Sequence, residues 1–127
     1  DNTLGTYQNS DLRLKSNVID SKVNALDIVN RLRIVDFNYT KNLDVNHTGY
    51  IAQEVSEIFP DMAVYLEDKD IWSIAPAKLI PVLNKAIQQQ QVQIETMEAE
   101  MSEQQMLIES LVIRIDRLES GSRQFEQ

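Results

Sequence analysis

Cysteine is absent from the 127 residues, which excludes disulfides and thiolate metal sites and leaves the redox compartment open. There is one histidine, His47, too few imidazoles for an all-protein zinc site, and no cofactor is implied. Basic residues are outnumbered 12 to 20, and a net charge of −8 works against attachment to nucleic acid or an anionic membrane, so neither is expected as a partner. No run approaches the ~20 apolar residues that span a bilayer, and the first residues lack a basic region followed by an apolar stretch. Beginning at Asp1 without a methionine, the chain is expected to be the excised end of a longer one. Its 43% hydrophobic content suffices for one modest domain, but much of it lies in a single helix-like tail, so a compact monomeric core is not expected.

The stretch "TLGTYQ" (3–8) is short and β-leaning, and a polar turn follows over 10–20. From a candidate N-cap at Asp20, Val23, Leu26, Val29 and Leu32 recur at helical spacing, with Ala25 and Ile28 widening the stripe. "IVDFNY" alternates Val35, Phe37 and Tyr39 against polar neighbours, the period of a half-buried strand, and residues 40–48 read as a polar loop. Tyr50 and Ile51 read as strand-like ahead of a short helix carrying Val55 and Ile58, which Pro60 should stop. Short strands in "MAVYL" and "IWSI" flank the charged "EDKD", which predicts a hairpin with a solvated tip.

Between Ile80 and Leu118 there is no glycine and no proline beyond Pro81, and one heptad register fits throughout. Positions a are Ile80, Ile87, Ile94, Met101, Ile108 and Ile115; positions d are Leu83, Gln90, Met97, Gln104, Leu111 and Leu118. Ten of these twelve are apolar, a coiled-coil seam rather than a chance pattern. At ~1.5 Å per residue such a helix is about 60 Å long, more than the small preceding part can cover, so the stripe is expected to be buried against other copies. Isoleucine at a with leucine at d alone suggests two strands; the amides at d, Gln90 and Gln104, sacrifice stability to fix register and strand number. One long helix folded back on its own domain is the competing reading. Of the glutamines 88–91 only Gln90 faces the seam, and a solvated surface accounts for the others.

In "NSDLRLKSN" (9–17) a serine, an aspartate, an arginine and a lysine crowd one loop. Ser10 and Lys15 could be a reactive pair or part of an ordinary polar turn. The ordered series "SDLRLKSNV", "FNY", "HTGYIAQEV", "FPD" and "LIPVLNKAI", over residues 10 to about 90, resembles the C-terminal intramolecular chaperone domain of endosialidase tailspikes and other phage fibres. The resemblance implies a parallel homotrimer that helps an upstream client fibre wind into a triple β-helix. It further implies release by serine-lysine autoproteolysis, with Ser10 as nucleophile, Lys15 as base and Ser10–Asp11 as the cleaved bond. Asp11, Arg13, Leu14 and Asn17 match the motif around the bond, and Gly49, Ala52, Gln53 and Glu54 match the central one, with no chemical step assigned to these eight. Pro76 stands where the family pattern has an aromatic residue, and beyond residue 90 only coiled-coil character is shared. The implied location is the host bacterial cytoplasm during virion assembly.

The expected fold class is therefore α+β: a small mixed helix and strand part followed by a long helix forming a parallel trimeric coiled coil. Residues 1–10 would be the client end, 11–75 the chaperone part, 76–119 the trimerisation helix and 120–127 a frayed tail. A lysine serves as base only when desolvation lowers its pKa from ~10.4 toward ~7, which an exposed loop does not supply but closure of three chains could. Attack of a serine hydroxyl on its own carbonyl would form a strained four-membered ring, and attack on the preceding carbonyl would cut before Ser10. Attack across a trimer interface, or activation of a water, permits a cut after it. Alternatives are a trimerisation domain that never cleaves, and the related self-cleaving module of a membrane-bound eukaryotic transcription factor. His47 with Asp44 lacks a third metal ligand and reads as a loop histidine. "NYT" and "NHT" match glycosylation sequons by coincidence, and Trp72 reads as a packing residue.

Overall fold

A computed structural model describes residues 7–125 of the chain. Among the described residues the main elements are helix α1 (Ala25–Arg31), strands β1 (Val35–Tyr39) and β2 (Asn42–Gly49), and helix α2 (Ala52–Ile58). Strands β3 (Ala63–Leu66) and β4 (Ile71–Ile74) and the long helix α3 (Leu79–Phe125) follow, with single 3-10 turns at Leu12–Leu14, Pro60–Met62 and Pro76–Lys78. The α+β class with a long C-terminal helix is as expected. Most of the 3–8 stretch lies outside the described residues, and Tyr7 and Gln8 have no regular structure.

Helix α1 starts four residues later than the Asp20 cap would have it. Asn24 is the N-cap, its side chain accepting from Asp27 N at 3.4 Å. Val23, the first residue of the apolar stripe, precedes the helix and still packs on the core. Pro60 ends α2 as expected and opens a 3-10 turn, where a missing N–H costs nothing. Pro76 does the same ahead of α3, so this departure from the family pattern suits the position.

Residues 42–48, expected as a loop, are strand β2, antiparallel to β1 with Val35 opposite Gly49 and Phe37 opposite His47. The alternation of Leu43, Val45 and His47 carries the signal, but Leu43 is 71% exposed, so burial does not hold the strand. Side chains do: His47 stacks on Phe37 with centroids 5.5 Å apart and meets Tyr39 edge-on at 5.0 Å. Asn38 Nδ2 bridges the register shift by donating to Val45 O and Asn46 Oδ1. Tyr50 and Ile51, expected to be strand-like, fall between β2 and α2. Strands β3 and β4 form the expected hairpin, with Tyr65 opposite Trp72 and "EDKD" at the tip. Tyr65 hydroxyl donates to Asp70, whose carboxylate pushes the tyrosine pKa up.

Among the described residues the buried core is six side chains, Ala25, Val55, Met62, Leu79, Val82 and Ala86. Three of them lie on α3, and in the heptad register Leu79 and Ala86 are g positions and Val82 is c. On a wheel turning 100° per residue this face lies about 110° from the a/d seam. Gln89, the next c position, continues it: Oε1 accepts from Leu26 N at 3.1 Å and Nε2 donates to Val23 O at 3.3 Å. The reading of Gln89 as solvated surface is therefore corrected, because α1 lies against it. The helix also runs past Leu118, through Gly121 to Phe125, where a frayed end was expected.

The ten apolar a/d residues of α3 are left exposed, from 40% at Leu83 to 74% at Leu118. The chain's accessible surface is 11556 Å², against roughly 6,900 Å² for a compact monomer of this mass. Replacing Met62, the largest fully buried side chain, tests the small core: Met62→Ala should cost about 2–5 kcal/mol, read as a lower urea midpoint at fixed protein concentration.

Candidate functional site

Asp11 has extended backbone, φ −66° and ψ 135°, and precedes the 3-10 turn Leu12–Leu14. Aspartate suits that place because its carboxylate can accept from an N–H that the turn leaves without a partner. Arg13 N donates to Asp11 Oδ1 at 2.8 Å, and the Arg13 guanidinium adds two bonds, Nε to Oδ1 at 3.0 Å and Nη2 to Oδ2 at 2.9 Å. Backbone bonds from Leu14 N to Asp11 O and from Lys15 N to Leu12 O, both 3.0 Å, close the turn. Across it, Lys15 Nζ donates to Ser10 Oγ at 2.8 Å. "SDLRLK" is thus one unit, in which the Asp11–Arg13 pair shapes the loop and the Ser10–Lys15 contact spans it. Asn17 follows at φ 55°, a left-handed conformation that asparagine tolerates better than most residues.

A contact of this length between an amine and a hydroxyl works in either direction. The ammonium donates to the serine; once neutral, the amine can take the serine proton and leave an alkoxide to attack a carbonyl. The arm that carries the pair, residues 7–22, is exposed throughout. Leu12, Leu14, Val18 and Ile19 are 65–80% exposed, so among the described residues no element covers this turn.

The rest of the expected motif sits elsewhere. Glu54 is held by Arg33 through two bonds of 2.9 Å, Nε to Oε1 and Nη2 to Oε2, which tie the α1–β1 connection to α2. Gln53 lines a groove of about 770 Å³ between the two hairpins, together with Phe37, Tyr39, His47 and Trp72. Its carbonyl accepts from Ser56 Oγ at 2.6 Å. Among the described residues neither Gln53 nor Glu54 makes a hydrogen bond to Ser10 or Lys15. Ala52 and Gly49 also line that groove, so the central motif builds the hairpin–helix junction. Arg33 had no sequence signal, its partner being 21 residues away. Gln89 had one, the c/g spacing that runs from Leu79 through Val82 and Ala86.

Electrostatically the turn is self-contained. The side-chain bonds from Arg13, then its backbone N–H, hold the Asp11 carboxyl below its ordinary value, and Asp11 raises Arg13 in return. A depressed carboxyl contributes above its unfolded pKa and loses that contribution as pH falls through the folded one, so the clamp opens only in acid. Both groups are exposed, so their pairing shapes the loop far more than it stabilises the fold. In Arg13→Gln the Asp11 carboxyl should titrate higher, toward an ordinary aspartate, in an NMR pH series; an unchanged midpoint would show that the pair is absent in solution.

Comparison with known families bears on the same stretch. A family model described as chaperone of endosialidase, which carries a peptidase designation, matches residues 10–64. The match opens on Ser10, includes Lys15, Arg33 and Glu54, and ends within β3. No curated protein matches the chain significantly. Over residues 10–64, then, this chain is similar to the chaperone of endosialidase family.

Proposed function

We propose that this chain is a homotrimeric intramolecular chaperone of an upstream triple β-helical phage fibre or tailspike, and that it releases itself by one cleavage at Ser10–Asp11. The observation that carries the chemistry is the 2.8 Å contact between Lys15 Nζ and Ser10 Oγ, preorganised by the Asp11–Arg13 pair within the family-matched segment. The net reaction is a hydrolysis: the Ser10 carbonyl–Asp11 nitrogen bond breaks, and water supplies a hydroxyl to the new carboxyl and a proton to the new amine. The pair has to face a carbonyl other than its own, which either a neighbouring chain's bond or an activated water satisfies.

Two surfaces of the single chain support the oligomeric part of the reading. The a/d stripe of α3 from Ile80 to Leu118 is exposed, and its 47-residue helix is about 70 Å long at ~1.5 Å per residue, far beyond the body. The arm bearing Ser10 and Lys15 lies in water, while a lysine base requires desolvation, which neighbouring chains can provide. Cleavage would then report that three chains have assembled, a natural gate for a single-turnover maturation step in the bacterial host cytoplasm. A trimerisation domain that stays attached is the second reading, favoured by the fact that the seam stands independently of the site.

Light scattering should give a mass of about three times 14.6 kDa; a stable monomer would sink the trimer. Mass spectrometry of the wild-type chain should show fragments 1–10 and 11–127. Ser10→Ala should abolish them, because no nucleophile remains. Lys15→Arg should also abolish them while keeping the trimer, since arginine preserves the charge and does not deprotonate. Cleavage that persists in Lys15→Arg removes the lysine from the mechanism, and a cut before Ser10 points to attack on the preceding carbonyl.

A further inference from the structure

Among the described residues the arm joins the body of its own chain at its C-terminal end, where Asp20 and Ser21 line a groove with Phe59, Asp61 and Pro81. Residues 7–22 are exposed, Val23 is the first partly buried residue, and Ala25 is the first buried one. At that root the backbone is held by a single side chain of α3: Gln89 accepts from Leu26 N at 3.1 Å and donates to Val23 O at 3.3 Å. The two bonds answer different needs. Leu26 N–H lies in the first turn of α1, where the helix supplies no acceptor, and the N-cap Asn24 serves Asp27 instead. Val23 O is the last arm carbonyl before that cap.

We propose that Gln89 is a positioning residue for the Ser10–Lys15 pair, fixing the direction in which the arm leaves the helix that assembles the chains. The proposal rests on the self-cleaving trimer argued above and adds the link between its two halves. Val23 lies eight residue steps beyond Lys15, so at ~3.3 Å per extended residue the lysine can stand ~26 Å from the clamp, and a ~10° swing at the root moves it by ~4–5 Å. Ser10 and Lys15 ride on one turn, so such a swing leaves their mutual contact intact. It changes where the pair sits relative to the other copies, and therefore whether Lys15 is desolvated. The only charged side chains within its own turn, Asp11 and Arg13, are paired with each other, which leaves the environment of Lys15 to be set from outside.

This mode of action differs from a stability role in what it does to the pH dependence of cleavage. Gln89→Leu keeps most of the volume and removes both hydrogen bonds. In the full chain, with the mass in light scattering unchanged, it should slow cleavage at neutral pH by about tenfold or more. It should also move the inflection of the rate–pH profile upward, because the displaced lysine is wetter. Gln89→Glu keeps the acceptor for Leu26 N and loses the donor to Val23 O, and should fall between. A wild-type rate, or a lower rate with an unmoved inflection and a lower Tm, overturns the proposal. Hydrogen exchange of the uncleaved Ser10→Ala trimer provides a readout that does not depend on proteolysis. Adding Gln89→Leu should speed exchange in peptides covering 11–22 and leave those covering 35–49 unchanged. Equal arm protection with and without the substitution refutes the positioning role. Persistent cleavage in Lys15→Arg with altered arm protection in Gln89→Leu would instead retire the lysine mechanism and leave the clamp standing.

Discussion

The packing of α1 against one face of α3 is the contact on which everything else depends. Ala25 from α1 and Leu79, Val82 and Ala86 from α3 make up most of a six-residue core, and Gln89 extends that face into a pair of backbone hydrogen bonds. Small side chains at Ala25 and Ala86 permit the close approach, and α2 and the 3-10 turn before β3 complete the core with Val55 and Met62. Because the g and c positions of α3 are consumed in this way, the a and d positions remain outward. A single helix thereby serves as the wall of a small domain on one side and offers an unpaired seam on the other.

A core of this size is a poor anchor on its own. Six buried side chains have to hold an arm, two separate two-stranded hairpins and a helix of 47 residues. The hairpins rely on local means: an aromatic cluster of Phe37, Tyr39 and His47 in one, and the Tyr65–Trp72 pair with the Tyr65–Asp70 hydrogen bond in the other. Neither two-stranded sheet extends the other, so both keep free edges, which isolated ribbons in water stabilise only marginally. The exposed apolar side chains of the arm and of α3 sit on this economical body, and burying them adds stability only through association.

At the Ser10–Lys15 turn, geometry and environment come from different sources. The Ser10–Lys15 contact is a property of six consecutive residues: a carboxylate that caps its own turn, a guanidinium that grips the carboxylate, and a lysine brought back over the serine. The environment that would let the lysine act as a base is absent from this stretch, which is in water from end to end. That division suits the proposed reaction, which has to wait for assembly, since the contact is in place before any neighbouring chain surrounds it.

The sequence by itself determined whatever depends on neighbours a few residues apart. The heptads of α3, the apolar stripe of α1, the alternation of β1, the hairpin around "EDKD" and the Ser10–Lys15 spacing are all short-range patterns, and each was legible. Strand β2 was missed because its partners are cross-strand aromatics and backbone groups, while Leu43 and Val45 stay exposed and carry little hydrophobic contrast. Tertiary structure alone decided that Glu54 belongs to Arg33 and not to the Ser10–Lys15 turn, and that Gln89 belongs to the root of the arm. Those pairings close loops of 21 and 63 residues. Many carboxylates and amides in the chain could have served equally well by composition, and only the packing of α1 on α3 and the placement of α2 beside the α1–β1 connection select which of them meet.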